Sequence, residues 1–429
     1  MGWLSTRLIR YVLLGACGLG FLPHALSQTL QQSVLIALSQ YPTILAAQSR
    51  QHSAQSDITR AQAAHWPQVA WSGTQSAYNA GNVPNNWIQS PTVSMNIWSG
   101  WKIESDVERS RALADAGRHQ QRITRDDVAL LATEGYLNWA RSIELVRLAR
   151  KNADDHERLR QAIFEITQVD QGRRIDLDQA EVRFENANLS LQQREAEMQV
   201  ATQRLNRMLL GQIPPQPDGI DFQAGKIPSS SEQALADLND SHPKIAQQKS
   251  QIDAARASVM NARSQHSPTV NVTYGKQVYQ GSGQGDYVAQ LNVQIPIFTG
   301  GMATAATDAA SAQLQAAEFD LQDLRLTLRE KVLTAWSEWK SAQNRAVLGK
   351  RQSETASTLV EGYQSQFQIG RRSLLDLLTV QNDLYTYRSN AINAAFDARV
   401  AYARIMAATG KLAIAYQVSG FQENEQKIQ

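Results

Sequence analysis

The sequence predicts a mainly α-helical protein with a small β part, built from two tandem repeats of about 200 residues each. Three observations lead to this fold class. The chain matches itself at a nearly constant spacing, long stretches rich in Ala, Gln and Arg favour helices, and four short segments alternate between apolar and polar residues as strands do.

The internal repeat is clearest at residues that end or bend secondary structure. Pro67 is repeated by Pro268 at a spacing of 201 residues, and VSMNIWSGW at 93–101 is repeated by VQIPIFTGG at 293–301 at a spacing of 200. The shared positions are mostly Pro, Gly and aromatic residues. We therefore predict the same order of elements in both halves of the chain.

The N-terminus has the pattern of a secretory signal. Two arginines precede an apolar run at 11–22, and Ala25 and Ser27 stand where signal peptidase prefers small residues, so residues 1–27 are predicted to be removed. Cys17, the only cysteine, lies inside this segment. The sequence that ends at Cys17 loosely resembles a lipoprotein cleavage box, and whether Cys17 is lipidated stays open. Cleavage after Ser27 leaves a chain without disulfides or thiol chemistry.

Composition and motifs exclude several classes of protein. The predicted signal holds two of the 42 basic residues and none of the 40 acidic ones, and the resulting neutral balance argues against a nucleic-acid partner. No segment after the signal offers the roughly 18 uninterrupted apolar residues of a transmembrane helix. The DDHE stretch at 154–157 cannot converge on a metal, because consecutive helical residues point around the axis. We predict no enzyme, no metal and no cofactor.

In each repeat, an Ala-rich helix is predicted to end at a proline, Pro67 or Pro268, because proline disfavours helix at the residue before it. A strand, a Gly-rich loop and a return strand follow, and the return strand ends at Gly100 or Gly300. These four residues are the predicted helix–strand junctions. The predicted strands are 67–75, 87–98, 268–276 and 287–298. The glycines of the second loop suggest a phosphate cradle, but they join two strands, which favours a hairpin.

Each repeat then continues as more than 100 residues of helical sequence, interrupted once. The interruptions lie near Gly172 and Gly370, which suit helix ends, while Asp176 and Ser373 suit the starts of the next helices. We predict two long antiparallel helices joined by a tight tip in each repeat. The predicted boundaries are 28–211 for the first repeat, 212–231 for a linker, 232–415 for the second repeat and 416–429 for a polar tail.

The predicted strands have the length and aromatic ends of strands that cross a bilayer. The alternative is a soluble sandwich with its apolar faces packed inward. Four strands cannot close a barrel, and lipid tolerates no open edge, so several chains must pool their strands: two chains give eight and three give twelve. The helices are rich in small and polar residues, which fits the wall of a hollow cylinder.

The duplicated units, the prolines at helix–strand junctions and the tip sequences DQGRRIDLDQAEVRF and IGRRSLLDLLTVQNDLYTYRSNA resemble the TolC family of outer-membrane channel proteins, over about residues 30–415. Within that family they look most like the type I secretion branch, which includes adhesin exporters. The resemblance implies a homotrimer, a shared 12-stranded transmembrane β-barrel and a periplasmic α-barrel. It also implies docking onto a periplasmic adaptor (a membrane fusion protein) and an inner-membrane ABC transporter.

The resemblance also implies roles for residues at the tips. Asp376 and Thr379 fall at the pore constriction, where relatives have two aspartates, so this chain keeps one carboxylate. Arg372 falls at a latching arginine, Phe367 stands where a tyrosine is often found, and Asp176 matches the acidic residue of the first tip. The simpler interpretations are that Asp176 only caps a helix, that Arg372 is solvated and that the neighbouring leucines only pack.

The sequence therefore predicts a passive outer-membrane exit duct of type I secretion that extends into the periplasm. One alternative is the outer-membrane component of a small-molecule efflux pump for drugs or metals. A remote alternative is a soluble periplasmic helical adaptor, which would not need four strands with aromatic ends. The cargo stays open, because specificity is expected to lie in the transporter and the adaptor.

Overall fold

The computed structural model describes residues 29–76, 86–221, 228–236, 238–278 and 285–417. It confirms the mainly helical fold with a small antiparallel sheet. The helices are α1 Leu30–Gln40, α2 Pro42–Gln62, α3 Lys102–Val169, α4 Arg174–Met208, α5 Ser231–Ala236, α6 Pro243–Ser264, α7 Met302–Gln368 and α8 Leu374–Ala408. The strands are β1 Gln68–Ser76, β2 Asn86–Trp98, β3 Thr269–Val278 and β4 Gly285–Gln294.

The duplication is visible in the lengths of the elements. The first long helices, α3 and α7, have 68 and 67 residues, and the second long helices, α4 and α8, have 35 residues each. At 1.5 Å per residue, α3 and α7 are each about 100 Å long. Each repeat is therefore an elongated hairpin with its strands near one end and its tip at the other.

Helix α1 was not predicted, although its sequence carries the signals of a helix. The Thr29 hydroxyl accepts a hydrogen bond from the Gln32 amide at 3.3 Å, and the Gln32 side chain bonds back to the Thr29 amide, which is a capping box. Leu30, Val34 and Leu38 repeat at helical spacing and are buried. Helix α1 thereby contributes one apolar face to the main core.

The main core lies where α1, α3, α4, α8 and the chain after α8 meet. Tyr136 is fully buried there, and its hydroxyl donates to the Asp218 carbonyl at 2.9 Å and accepts from the Asp218 amide at 2.8 Å. These two bonds attach the linker between the repeats to α3. The Leu30 amide also donates to the Asp218 carbonyl at 3.1 Å, so the N-terminal segment joins the same point.

The predicted polar tail begins too early, because Tyr416 is 2% exposed and belongs to this core. Residues 412–417 are helical, and the rest of the predicted tail lies outside the described residues. The Asp126 carboxylate accepts a hydrogen bond from the Ala413 amide at 2.8 Å, which holds this segment on α3. Burial raises the pKa of Asp126 to about 6, since the charged form loses water.

The four strands form one antiparallel sheet in the order β1-β2-β3-β4. The β2–β3 pair joins the two repeats, and β1 and β4 are the edges. Near the helices, β2 has a bulge between Asn96 and Trp98, and the Asn96 side chain donates to the Trp98 carbonyl at 3.4 Å and to Asn271 Oδ1 at 2.8 Å.

Strand β4 is shorter than predicted, since it ends at Gln294 and not at 298. The apolar alternation continues through Ile295 and Ile297, but β3 begins at Thr269, opposite Gln294, and offers no partner beyond it. Pro296 also lacks the amide that a ladder requires. Residues 295–298 therefore leave the sheet of this chain with apolar side chains that are mostly exposed.

The helix–strand junctions depend on glycine in the left-handed region. Gly100 and Gly300 have φ of +60° and +63°. A Cβ on Gly100 would lie 2.1 Å from Ser267 Cβ, so the first junction also needs glycine for space. Trp101 follows with φ of +69°, where the second repeat has Gly301 at +83°, a strain of about 1–2 kcal/mol for a residue with a Cβ.

Candidate functional site

Two regions at opposite ends of the long hairpins hold the features with functional potential. The tips join α3 to α4 and α7 to α8, and the sheet lies at the other end. The predicted gate and constriction residues lie at the tips, and the exposed apolar residues of the strands lie on the sheet.

The second tip is a tight turn fixed by its own backbone. Gly370 has φ of +71°, and the amides of Gly370 and Arg371 donate to the carbonyls of Phe367 and Gln366 at 3.0 and 2.9 Å. Ser373 then caps α8, because its hydroxyl accepts from the Asp376 amide at 3.1 Å. This turn sets where the first residues of α8 lie.

Asp376 and Thr379 lie one turn apart on α8, so their side chains share a face of the helix. Asp376 is partly exposed and Thr379 is exposed, and the Thr379 hydroxyl is held by the Leu375 carbonyl at 2.7 Å. Among the ion pairs of the described residues, none includes Asp376. Its carboxylate is therefore accessible to ions from solution.

Arg372 is bound to α7 of its own hairpin. Its Nε donates to Gln366 Oε1 at 3.0 Å, and its guanidinium lies 4.5 Å from the ring centre of Tyr363. Phe367 packs against a small buried cluster that Ile163 of α3 forms with two leucines of α8. Arg372 thus joins the turn to α7, and Phe367 packs the end of α7 against α3 and α8.

The leucines near the second tip divide between packing and exposure. Leu374 and Leu378 are buried against Ile163, which is the packing role that the simpler interpretation gave them. Leu375 is 54% exposed and faces away from this cluster.

The first tip joins α3 to α4 and is built differently from the second tip. Asp170 follows the last residue of α3, has an extended backbone, and accepts a hydrogen bond from the Gly172 amide on its carboxylate at 3.0 Å. Gly172 lies in a short 3-10 turn, Gln171–Arg173, and has no positive φ. The first tip therefore has an aspartate cap, whereas the second tip has a glycine, Gly370, in the left-handed region. Asp176 accepts from Arg173 Nε at 2.9 Å in the first turn of α4, where a carboxylate favours the helix dipole.

A groove of about 390 Å³ that was not predicted lies above the second tip, between α3, α7 and α8. Lys151, Arg158 and Arg388 are among its lining residues. Arg158 pairs with Asp155 within α3, and Arg388 donates to the Ser357 hydroxyl at 3.0 Å. Lys151 and Arg158 are seven residues apart, so the sequence indicates that they share one face of α3. Only the packed structure shows that Arg388 of α8 lies in the same groove.

The sheet has two chemically distinct faces. One face is apolar and exposed, with Trp71 at 71% exposure and Leu291 at 66%. It consists of Val69, Trp71, Val93, Met95, Val270, Val272, Tyr274, Tyr287, Leu291 and Val293. The other face carries amides and hydroxyls near the helices: Gln68, Ser94, Asn96, Thr269, Asn271, Thr273, Gln290, Asn292 and Gln294.

The apolar face is bounded by aromatic residues at both ends. Trp98 and Trp101 meet edge to face at 5.6 Å near the helices, and Tyr274 stacks on Tyr287 at 5.8 Å toward the loops. Trp98 lies opposite Val270, so Tyr274 is four residues and the level of Tyr287, opposite Lys276, is six residues further along β3, which spans about 13–20 Å. Such a band, exposed on one sheet face between aromatic girdles, is typical of strands in contact with lipid.

No helix in the described part of the chain is long and apolar enough to cross a membrane. Within the same residues, no group of three or more His, Cys, Asp and Glu side chains could hold a metal ion. The DDHE side chains diverge: Asp155 and Glu157 pair with Arg158 and Arg160, while His156 is buried.

Comparison with known proteins gives consistent relatives. The family described as outer membrane efflux protein matches residues 234–411. The chain is 24% identical to the outer membrane efflux protein BepC of Brucella suis biovar 1 over 90% of this chain and 86% of BepC. It is 26% identical to the alkaline protease secretion protein AprF of Pseudomonas aeruginosa over 63% of this chain and 58% of AprF.

Among solved structures, the chain is similar to CusC, a protein described in connection with transmembrane channel formation. The TM-score is 0.78 at 18% identity, over 90% of this chain and 92% of CusC. At this identity the similarity concerns the fold alone.

Fold, sheet and tips together define an elongated outer-membrane protein with strands at one end and a helical shaft. In sequence and fold, the chain is similar to outer-membrane efflux proteins of the TolC family. It is located in the outer membrane and extends into the periplasm.

Proposed function

We propose that this chain forms the passive, homotrimeric exit duct of a type I secretion system. It carries protein cargo such as an adhesin, works with a periplasmic adaptor and an inner-membrane ABC transporter, and has no catalysis of its own. The observation that carries this proposal is the exposed apolar face of a sheet with two open edges, at the end of helical hairpins about 100 Å long.

The open edges require other copies. In lipid, every unpaired backbone amide or carbonyl costs several kcal/mol, so β1 and β4 need partners. Because the strands of one chain alternate in direction, β4 of one copy is antiparallel to β1 of the next when the copies join in a ring. Three copies would supply twelve strands and close the barrel.

The tips are the proposed gate. Three copies would bring three Asp376 carboxylates to the entrance, with Thr379 one turn further along α8. Gly370, Arg372 and Phe367 would hold the second tip in shape. Asp176 neutralises Arg173 in the first tip and is assigned a structural role.

Similarity to a protease secretion protein supports protein cargo. A second candidate, small-molecule efflux, is favoured by the longer match to BepC, an efflux protein. In a strain that lacks this chain, we expect a large secreted protein to disappear from the medium while sensitivity to toxic small molecules stays unchanged. The reverse outcome would establish the efflux alternative. A freely soluble periplasmic monomer would reject both candidates, because a duct requires detergent-dependent trimers in the outer-membrane fraction.

A further inference from the structure

The two repeats pair their own strands in the same register. In the first repeat Gln68 lies opposite Ser94 and Val69 opposite Val93. Adding 201 to the outgoing strand and 200 to the return strand gives the pairs Thr269–Gln294 and Val270–Val293, and the second hairpin contains these same pairs. The spacing of 200–201 residues between the repeats therefore relates paired strand residues as well as sequence.

The remaining junction inside the chain joins one repeat to the next. It pairs the return strand β2 with the outgoing strand β3, with Ser94 opposite Thr273 and Met95 opposite Val272. A junction between copies would be of the same kind, since it pairs the return strand β4 with the outgoing strand β1.

We propose that β4 of one copy pairs with β1 of a second copy of this chain in the register of the β2–β3 junction. This inference rests on the proposed trimeric duct and specifies its interface. Applying the same shift places Gln294 opposite the neighbour's Ser72 and Ile295 opposite its Trp71. The bulge at Trp98 and Val270 would be repeated by Phe298 and Val69.

This register accounts for residues 295–298. Their alternating apolar pattern predicts a strand, yet β3 has no residues to pair with them, and Ile297 and Phe298 are 94% and 88% exposed. In the proposed register they lie beside the neighbour's β1, which extends β4 to its predicted length. Pro296 falls at the position of Asn96, next to the bulge, where a proline is tolerated.

The same rule applies to the glycine at the helix–strand junction. Within the chain, Gly100 approaches Ser267 of the next repeat so closely that a Cβ would lie 2.1 Å from its Cβ. Its counterpart Gly300 has no atom within 4 Å that a Cβ would meet. The shift places Gly300 beside Trp66 of the neighbouring copy, which is 70% exposed in one chain. One register therefore gives a neighbour both to the exposed residues 295–298 and to the empty space beside Gly300.

The test uses paired cysteines in the full-length chain with Cys17 replaced by Ser, isolated in membranes and oxidised mildly. Residues directly opposite each other in a sheet are close enough for a disulfide, whereas a displacement of two residues moves the Cβ atoms about 7–8 Å apart. The matched variant is Ser72→Cys with Gln294→Cys. The mismatched control is Ala70→Cys with Gln294→Cys, which stays on the same sheet face.

We expect the matched variant to form covalent dimers and trimers on non-reducing gels at least tenfold faster than the mismatched one. Ser94→Cys with Thr273→Cys is the internal reference, because it has the same register within one chain and forms an intrachain bond. Equal or faster cross-linking of the mismatched pair would overturn the register while trimers and channel conductance persist. Loss of trimers and conductance in the cysteine-free parent would instead remove the proposed duct.

Discussion

Two glycines at equivalent ends of the second long helices provide a quantitative test of the fold. Gly211 follows α4 and Gly410 follows α8, with φ of +92° and +69°. Alanine at either position must adopt the left-handed region, at a cost of about 1–2 kcal/mol. If conformation alone mattered, the two substitutions would destabilise the chain by similar amounts.

Their surroundings differ. A Cβ on Gly410 would lie 2.8 Å from Pro243 Cδ, in a rigid ring at the start of α6, whereas a Cβ on Gly211 meets only Asn206 at 4.0 Å. Overpacking of this kind costs typically about 1–3 kcal/mol. We therefore expect Gly410→Ala to lower the free energy of unfolding by about 2–5 kcal/mol and Gly211→Ala by about 1–2 kcal/mol.

The assay is urea unfolding of the purified protein in detergent, followed by the helical circular dichroism signal. With a slope near 3 kcal/mol/M, the two variants should differ by about 0.3–1 M in midpoint. Gly362→Ala is the control, because Gly362 lies inside α7 with open space around it, and alanine should stabilise a helix interior by about 0.5–1 kcal/mol. Equal midpoints for Gly211→Ala and Gly410→Ala would refute the packing argument.

Three further predictions follow from single contacts. Asp376→Ala should reduce cation preference in planar-bilayer conductance, and unchanged selectivity would remove Asp376 from the pore. Tyr136→Phe removes the two hydrogen bonds that join the buried Tyr136 to Asp218, each worth about 0.5–1.5 kcal/mol, so the free energy of unfolding should fall by about 1–3 kcal/mol, measured by the urea midpoint. Because the folded pKa of Asp126 is about 6, above its unfolded value near 3.9, its contribution to stability should fall by about 2 kcal/mol as pH rises from 4 to 7. Asp126→Asn should lack that part of the pH dependence, and identical pH profiles would contradict it.

The sequence predicted those features that repeat or alternate. The spacing of Pro67 and Pro268 located both helix–strand junctions, because proline and its neighbours restrict the backbone wherever they occur. The capping role of Ser373 was also predictable, since a hydroxyl before a helical run has one favourable partner nearby. Features of this kind depend on residues within a few positions of each other.

Features that depend on distant parts of the chain could not be predicted in the same way. The groove above the second tip needs α3 and α8, whose lining residues are more than 200 positions apart. Burial of Tyr416 likewise requires Thr133, whose hydroxyl lies 2.9 Å from that of Tyr416. The cap at the first tip is a local feature, because the Asp170 carboxylate bonds to the Gly172 amide two residues away.

The two repeats differ at one position next to the sheet, where the first has Asn96 and the second has Pro296. The return strand of the first repeat, β2, pairs with β3 of the same chain. There the Asn96 side chain bonds to Asn271 beside the bulge. The equivalent position in the second repeat is Pro296, which needs no hydrogen-bond partner while the chain is alone. In the proposed assembly, this strand end stays unpaired until a second copy joins it, and proline there leaves one fewer backbone donor unsatisfied. The substitution of proline for asparagine is therefore what an edge requires if it is open during folding and closed only on assembly.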